Sequence, residues 1–227
     1  MSLTFDKPAH LYTYNGEIVP SITQIMGFVG FYAHMDGIPK DRLDHAAERG
    51  EAIHLATQYY DEGDLDISTV SDECRPYVDA YIAWRERTRW TLIECEKPRY
   101  ALGYAGTPDR IFADNLASRA AGRCIVLDIK TSWKVSKEAH IQTAAQAVLW
   151  DPQDCAPLPR RIILHLTKDG EANEVESVDD NDYAVWDAAL QVYKWIGPKG
   201  KRKKRGNGDE PQAQVSVEPE GNVPPSV

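Results

Sequence analysis

The segment Leu127-Asp128-Ile129-Lys130-Thr131 closes an apolar run and places two charges inside it. Side chains alternate faces along a strand, so Leu127 and Ile129 anchor one face while Asp128 and Lys130 project together from the other. Unpaired charge in such surroundings is costly, so the chain must fold to give this pair a partner or a cleft. A second string, Gly106-Thr107-Pro108-Asp109-Arg110, places Asp109 19 residues before Asp128, on a segment able to pair as a neighbouring strand. Pro108-Asp109 is the only Pro-Asp among 227 residues, and Asp128-x-Lys130 the only acid-x-Lys. Together they are more specific than either alone. Two carboxylates and a backbone carbonyl make a hard oxygen site suited to Mg²⁺ or Mn²⁺. A lysine two residues on can orient or activate a water near a phosphate held by such an ion. The plainer reading, surface ion pairs Asp109–Arg110 and Asp128–Lys130, fits poorly with strands this apolar.

The rest of the chain reads as a mixture of helices and short strands. Asn15-Gly16 supplies the positive φ angles of a two-residue hairpin turn between Tyr12-Thr13-Tyr14 and Glu17-Ile18-Val19. Ser21 and Gln24 form a capping box that opens a helix. Apolar residues at three- and four-residue spacing predict helices over 40–60 and from about Pro76 to Trp90. Strands are expected at Thr91–Cys95, Gly106–Ala113 and Arg123–Lys130, with Asp114-Asn115 and Gly122 punctuating the last two. A helix over 136–150, a strand at Arg161–Thr167 and a helix over Asp182–Trp195 complete the body. This order predicts an α/β fold: a central mixed β-sheet flanked by helices.

Composition narrows the options. No run approaches the ~20 apolar residues of a membrane span, and the N-terminus lacks a basic-then-apolar leader, so a membrane or secreted protein is not expected. The four cysteines (Cys74, Cys95, Cys124, Cys155) show no C-x-x-C spacing, and free thiols in a reducing cytoplasm are the simpler expectation. The net charge is −9. From residue 197 onward the chain is rich in Gly and Pro, lacks aromatics and carries the run Lys199-Gly-Lys-Arg-Lys-Lys-Arg205, which reads as a disordered tail. It serves either as a phosphate-binding arm or as a solvated extension. The 1–196 body keeps 20 Lys+Arg against 31 Asp+Glu, which disfavours wholesale coating of nucleic acid but allows a local basic groove or a cation-binding carboxylate cluster.

His54 lies on or beside the apolar stripe of the 40–60 helix, where a lone histidine is more often a core residue than a ligand. Gln142 and Gln146 sit one turn apart on an otherwise apolar helix, and either satisfy buried polar groups or reach the lysine and a substrate backbone. Taken in order, Arg49-Gly50-x-x-x-His54, Gly106-Thr-Pro-Asp109-Arg110, Asp128-Ile-Lys130-Thr and Gln142 resemble the PD-(D/E)XK nuclease superfamily, in its RecB-like and phage-type exonuclease branch. The likeness covers roughly residues 17–150, including Val19-Pro-Ser-Ile-Thr-Gln24.

The resemblance implies a restriction-endonuclease-like core over 1–196 and phosphodiester hydrolysis with one or two Mg²⁺ or Mn²⁺ ions. It casts His54, Asp109, Asp128 and the Ile129 carbonyl as metal ligands, Lys130 as the catalytic lysine and Gln142 as the family's motif glutamine. Glu96 matches a supporting acidic position, with Glu94 its rival. The chain departs from the family pattern in carrying Gln146 where an aromatic residue often follows the motif glutamine. The cysteine spacing does not match that of relatives with an iron–sulfur cluster, so none is expected. No G-x-x-x-x-G-K-[ST] helicase motif occurs. The expected function is a DNA exonuclease of phage or prophage recombination, acting on DNA in the cytoplasm of a bacterial or infected cell. A single-strand annealing protein is the implied partner, and a homo-oligomer would offset the acidic body. The alternatives are an endonuclease of the same superfamily or a non-catalytic nucleic-acid-binding module. Trp133, just past the catalytic strand, fits either stacking on a base or a place in the core.

Overall fold

The computed structural model describes residues 2–113, 124–150 and 158–198. The expected turn residues Asp114, Asn115 and Gly122, Cys155, and the tail from 199 onward lie outside them. The chain opens with an antiparallel three-stranded sheet of β1 (Leu3–Asp6), β2 (Leu11–Tyr14) and β3 (Glu17–Val19). Asn15 and Gly16 turn β2 into β3 with φ of +50° and +84°, as the hairpin reading requires. The capping box then starts α1 (Ile22–Phe28): Ser21 Oγ accepts from the Gln24 N–H, and Gln24 Oε1 accepts from the Ser21 N–H.

Next come α2 (Lys40–Glu62) and α3 (Arg75–Thr88), then β4 (Thr91–Cys95), β5 (Arg99–Ala101), β6 (Tyr104–Gly106), β7 (Arg110–Ala113) and β8 (Cys124–Lys130). The last elements are α4 (Lys137–Leu149), β9 (Arg160–Leu166), β10 (Ala172–Glu176) and α5 (Asn181–Ile196). The main sheet has the order β10-β9-β8-β7-β4. Among the described residues of this sheet only β8 and β9 run parallel, joined through α4, because a parallel pair needs a crossover and a helix supplies one. The architecture is therefore the expected mixed α/β sheet with helices on both faces.

Alternation along β8 assigns those faces. Ile125, Leu127 and Ile129 pack with Ile53 of α2 and with Tyr77, Tyr81 and Trp84 of α3. Cys124 and Val126 face the other way, against Ala147 of α4 and Trp150. Asp128 and Lys130 share the parity of Val126, so they point toward α4.

The expected strand over Gly106–Ala113 is corrected into two. Gly106 ends β6, which pairs with β5, while the main-sheet strand begins only at Arg110. Pro108 between them has no N–H to give a ladder. Gly106 is needed for contact, since a Cβ there would lie 2.6 Å from Ile22 Cδ1 and 3.0 Å from Leu149 Cδ1. Strand β10 is not legible in the sequence, because Ala172-Asn-Glu-Val-Glu176 is a largely exposed edge that becomes a strand only by pairing with β9. Cys74 and Cys95 are free, as expected. Among the described residues no helix is long and apolar enough to cross a membrane.

Candidate active site

Helix α2 and the β4–β7 pair bring three ligand-bearing side chains together. His54, Glu96 and Asp109 each offer one donor atom, and these atoms all lie within 4.8 Å of one another. His54 Nδ1 stands 3.6 Å from Asp109 Oδ2 and 3.7 Å from Glu96 Oε1. Its neighbour Ile53 is fully buried in the core, so the helix holds the imidazole at the edge of the packed interior.

Glu96 follows β4 with φ +47°, a left-handed conformation that costs a non-glycine residue about 1–2 kcal/mol. Its N–H donates to the Asp109 carbonyl at 3.0 Å, and its carboxylate accepts from Arg110 Nη1 at 3.2 Å. Such strain is tolerated where the surroundings over-determine it, and here it turns the carboxylate into the cluster. The rival Glu94 is engaged elsewhere, with Arg99 at 2.8 Å and Lys97 at 2.9 Å. Burial raises the Glu94 pKa, but these two cations outweigh it and hold the group below its ordinary value.

Asp109 and Asp128 do different work. Asp109 Oδ2 accepts the Ile129 N–H at 2.6 Å, tying the Pro-Asp segment to β8. Asp128 lies beside Lys130 instead, with Oδ2 2.7 Å from Nζ. Gln142 bridges the pair, donating from Nε2 to Asp128 Oδ1 at 3.0 Å and accepting from Lys130 Nζ at 3.1 Å. Gln146 donates to the same Asp128 oxygen at 3.1 Å, while its own Oε1 is buried without a partner. Asp128 thus stands beside the three-residue cluster rather than in it, although the sequence expectation groups Asp128 and the Ile129 carbonyl with His54 and Asp109 as ligands. Arg49 pairs with Glu73 at 3.5 Å and lies over the Tyr77 ring, outside the cluster.

Burial pushes both aspartates above their ordinary pKa, offset by His54 at Asp109 and by Lys130 at Asp128. For His54, burial acts to lower the pKa, but Asp109 and Glu96 outweigh it and the net shift is upward. Lys130 behaves alike: burial lowers, Asp128 and Asp109 raise, and the ammonium is stabilised. The donors, one imidazole and two carboxylates held together in a half-buried setting, fit a divalent cation whose charge would offset the crowded carboxylates.

A network not foreseen from the sequence supports the cluster. Arg110 is fully buried and donates to Asp61 at 2.6 Å, Thr57 at 3.1 Å and the Asp109 carbonyl at 2.7 Å, besides Glu96. Asp61 also accepts from Arg85 at 2.9 Å and from the Tyr81 hydroxyl at 2.5 Å. His54, Thr57 and Asp61 fall at helical spacing on one face of α2, which was the available signal. The site opens into a cavity of about 830 Å³ whose lining includes His54, Glu96, Lys130 and Gln142 together with Phe5, Lys7 and His10.

No family model matches this sequence, and no curated protein does. Among solved structures, the chain is similar to the crystal structure of a "Putative exonuclease" from Eubacterium rectale, at 16% identity and a TM-score of 0.40. That alignment covers 66% of this chain, which spans 64% of the other protein's length. The likeness is loose, and the functional reading below rests on the side chains.

Proposed function

We propose that this chain is a divalent-metal-dependent deoxyribonuclease that degrades DNA from an end, as a member of the PD-(D/E)XK superfamily. The observation that carries the reading is the His54, Glu96 and Asp109 donor set, within 4.8 Å, two of whose members, His54 and Glu96, line the same cavity as Lys130, whose Nζ lies 2.7 Å from Asp128. His54, Glu96 and Asp109 would hold the metal, with Asp128 adjacent. A bound Mg²⁺ or Mn²⁺ supplies Lewis acidity toward a phosphodiester and makes a water nucleophilic near neutral pH.

The chain's own groups set the rest. Lys130 keeps its proton because Asp128 and Asp109 outweigh its burial, so it serves as a hydrogen-bond donor and fixed positive charge rather than as a base. That is the group needed where negative charge builds on a phosphate oxygen. Gln142 locks Asp128 and Lys130 in one geometry, so little reorganisation is required at the moment of reaction. Loss of Lys130 should lower the rate by ~100-fold or more, several kcal/mol of barrier.

The test is cleavage of end-labelled linear DNA beside closed circular DNA, in Mg²⁺, in Mn²⁺ and in EDTA, with Lys130→Ala as control. Metal-dependent loss of the linear substrate alone, abolished in the variant, is the expected result. Cutting of the circle would move the assignment to an endonuclease. Folded, metal-loaded protein that cuts neither would refute the nuclease reading and favour a binding module.

A further inference from the structure

Trp133 is 90% exposed, so a core role is ruled out for it. Tryptophan carries the largest apolar surface of any side chain and is highly buried on average, so leaving one in water forgoes substantial burial energy. The loop that carries it is nevertheless braced. Ser132 Oγ donates to the Lys134 carbonyl at 2.8 Å, and the Ser132 carbonyl is contacted by His165 Nε2 at 2.6 Å. His165 belongs to β9, directly across from Lys130 in the parallel register. The indole is thus presented by an anchored turn, and three residues of chain keep its Cα within about 11 Å of the Lys130 Cα.

Its neighbours have the matching charge. Lys134 and Lys137 follow one and four residues further along the chain, and both are exposed. An exposed aromatic face flanked by cations is the combination that binds an unpaired nucleic-acid strand, stacking a base while the ammonium groups meet phosphates. The bases of a single strand are free to stack on such a ring, whereas those of a duplex are already stacked on one another.

We infer that Trp133, with Lys134 and Lys137, is a base-stacking platform that holds an unpaired strand beside Lys130, making single-stranded DNA or a frayed end the form bound at this site. The inference rests on the nucleic-acid reading of the site but not on its chemistry.

The experiment compares binding of a fluorescent oligothymidylate and of a blunt duplex of equal length, in Ca²⁺, by wild type, Trp133→Ala and Trp133→Phe. Thermal melts with and without Mg²⁺ run alongside. Trp133→Ala should weaken oligothymidylate binding about 5- to 100-fold, Trp133→Phe should keep most of it, and duplex binding should change little. The melting temperature and its Mg²⁺-induced shift should be the same in all three proteins, since the side chain packs on almost nothing. Unchanged oligothymidylate affinity in Trp133→Ala, or equal loss toward duplex and single strand, would overturn the inference. So would a wild-type dimer that Trp133→Ala converts to a monomer, which would make the indole a self-association contact. Trp133-dependent strand binding without any cleavage would leave this inference standing and remove the nuclease reading. Cleavage retained in Trp133→Ala together with unchanged oligothymidylate affinity would do the reverse.

Discussion

Replacing Arg110 with methionine tests whether the buried ion network holds the metal-ligand cluster in place. The substitution keeps an unbranched apolar stem of similar girth and removes all five N–H donors. Asp61, whose side chain is fully buried, then loses its 2.6 Å partner but keeps Arg85 at 2.9 Å and Tyr81 at 2.5 Å. The Asp109 carbonyl keeps the Glu96 N–H at 3.0 Å, and the Thr57 hydroxyl keeps its own bond to the His54 carbonyl at 2.9 Å. Breaking a buried pair costs about 3–5 kcal/mol, and the surviving partners of Asp61 place this case near 3 kcal/mol. For a domain of this size that is a fall of about 6–12 °C in melting temperature, readable by circular dichroism. Adding Asp61→Asn removes the stranded charge, so the double variant should be more stable than the sum of the single losses predicts, by about 1–2 kcal/mol. A loss below about 1 kcal/mol in Arg110→Met, or strict additivity in the double variant, would refute the argument that the pair is desolvated and coupled.

Asp109→Asn should abolish most of the Mg²⁺- or Mn²⁺-induced rise in melting temperature, because one carboxylate of a three-donor set is lost; differential scanning fluorimetry with and without EDTA checks this. The metal-induced rise should also be larger at about pH 8 than at about pH 6. His54 is raised above its ordinary 6.5, and Asp109 and Asp128 above 3.8, so in metal-free protein their stabilising contribution is present below those values and lost as pH climbs through the raised ones. A cation needs the deprotonated forms, hence the greater gain on the alkaline side, and an equal rise at both pH values would contradict it. In the core, Trp84 is fully buried and donates to Glu174 at 2.8 Å. Trp84→Ala should cost about 3–5 kcal/mol in urea denaturation, while Trp84→Phe, losing mainly the hydrogen bond and part of the ring, should cost about 1–2 kcal/mol.

What the sequence determined by itself is local and periodic. The two-residue alternation of Leu127 to Lys130 puts Asp128 and Lys130 on one face whatever their partners, and their charged ends stand 2.7 Å apart. Asn15-Gly16 and the Ser21/Gln24 box set a turn and a helix start, since their hydrogen bonds close within a few residues. The tertiary structure decided the partners. Sequence spacing could not choose Glu96 over Glu94. That choice depended on a left-handed residue after β4, and on Lys97 and Arg99 both engaging Glu94 while Arg110 meets Glu96 from the neighbouring strand. Nor does spacing reveal that Gln142 and Gln146 arrive from α4 across the sheet to meet Asp128. The buried Arg110–Asp61 pair joins residues 49 positions apart, and the exposed Trp133 follows Ser132, whose carbonyl meets His165 of β9. Periodicity is a property of one segment and survives in the sequence. Which distant groups meet is set by sheet order, register and helix docking, and those exist only once the chain has folded.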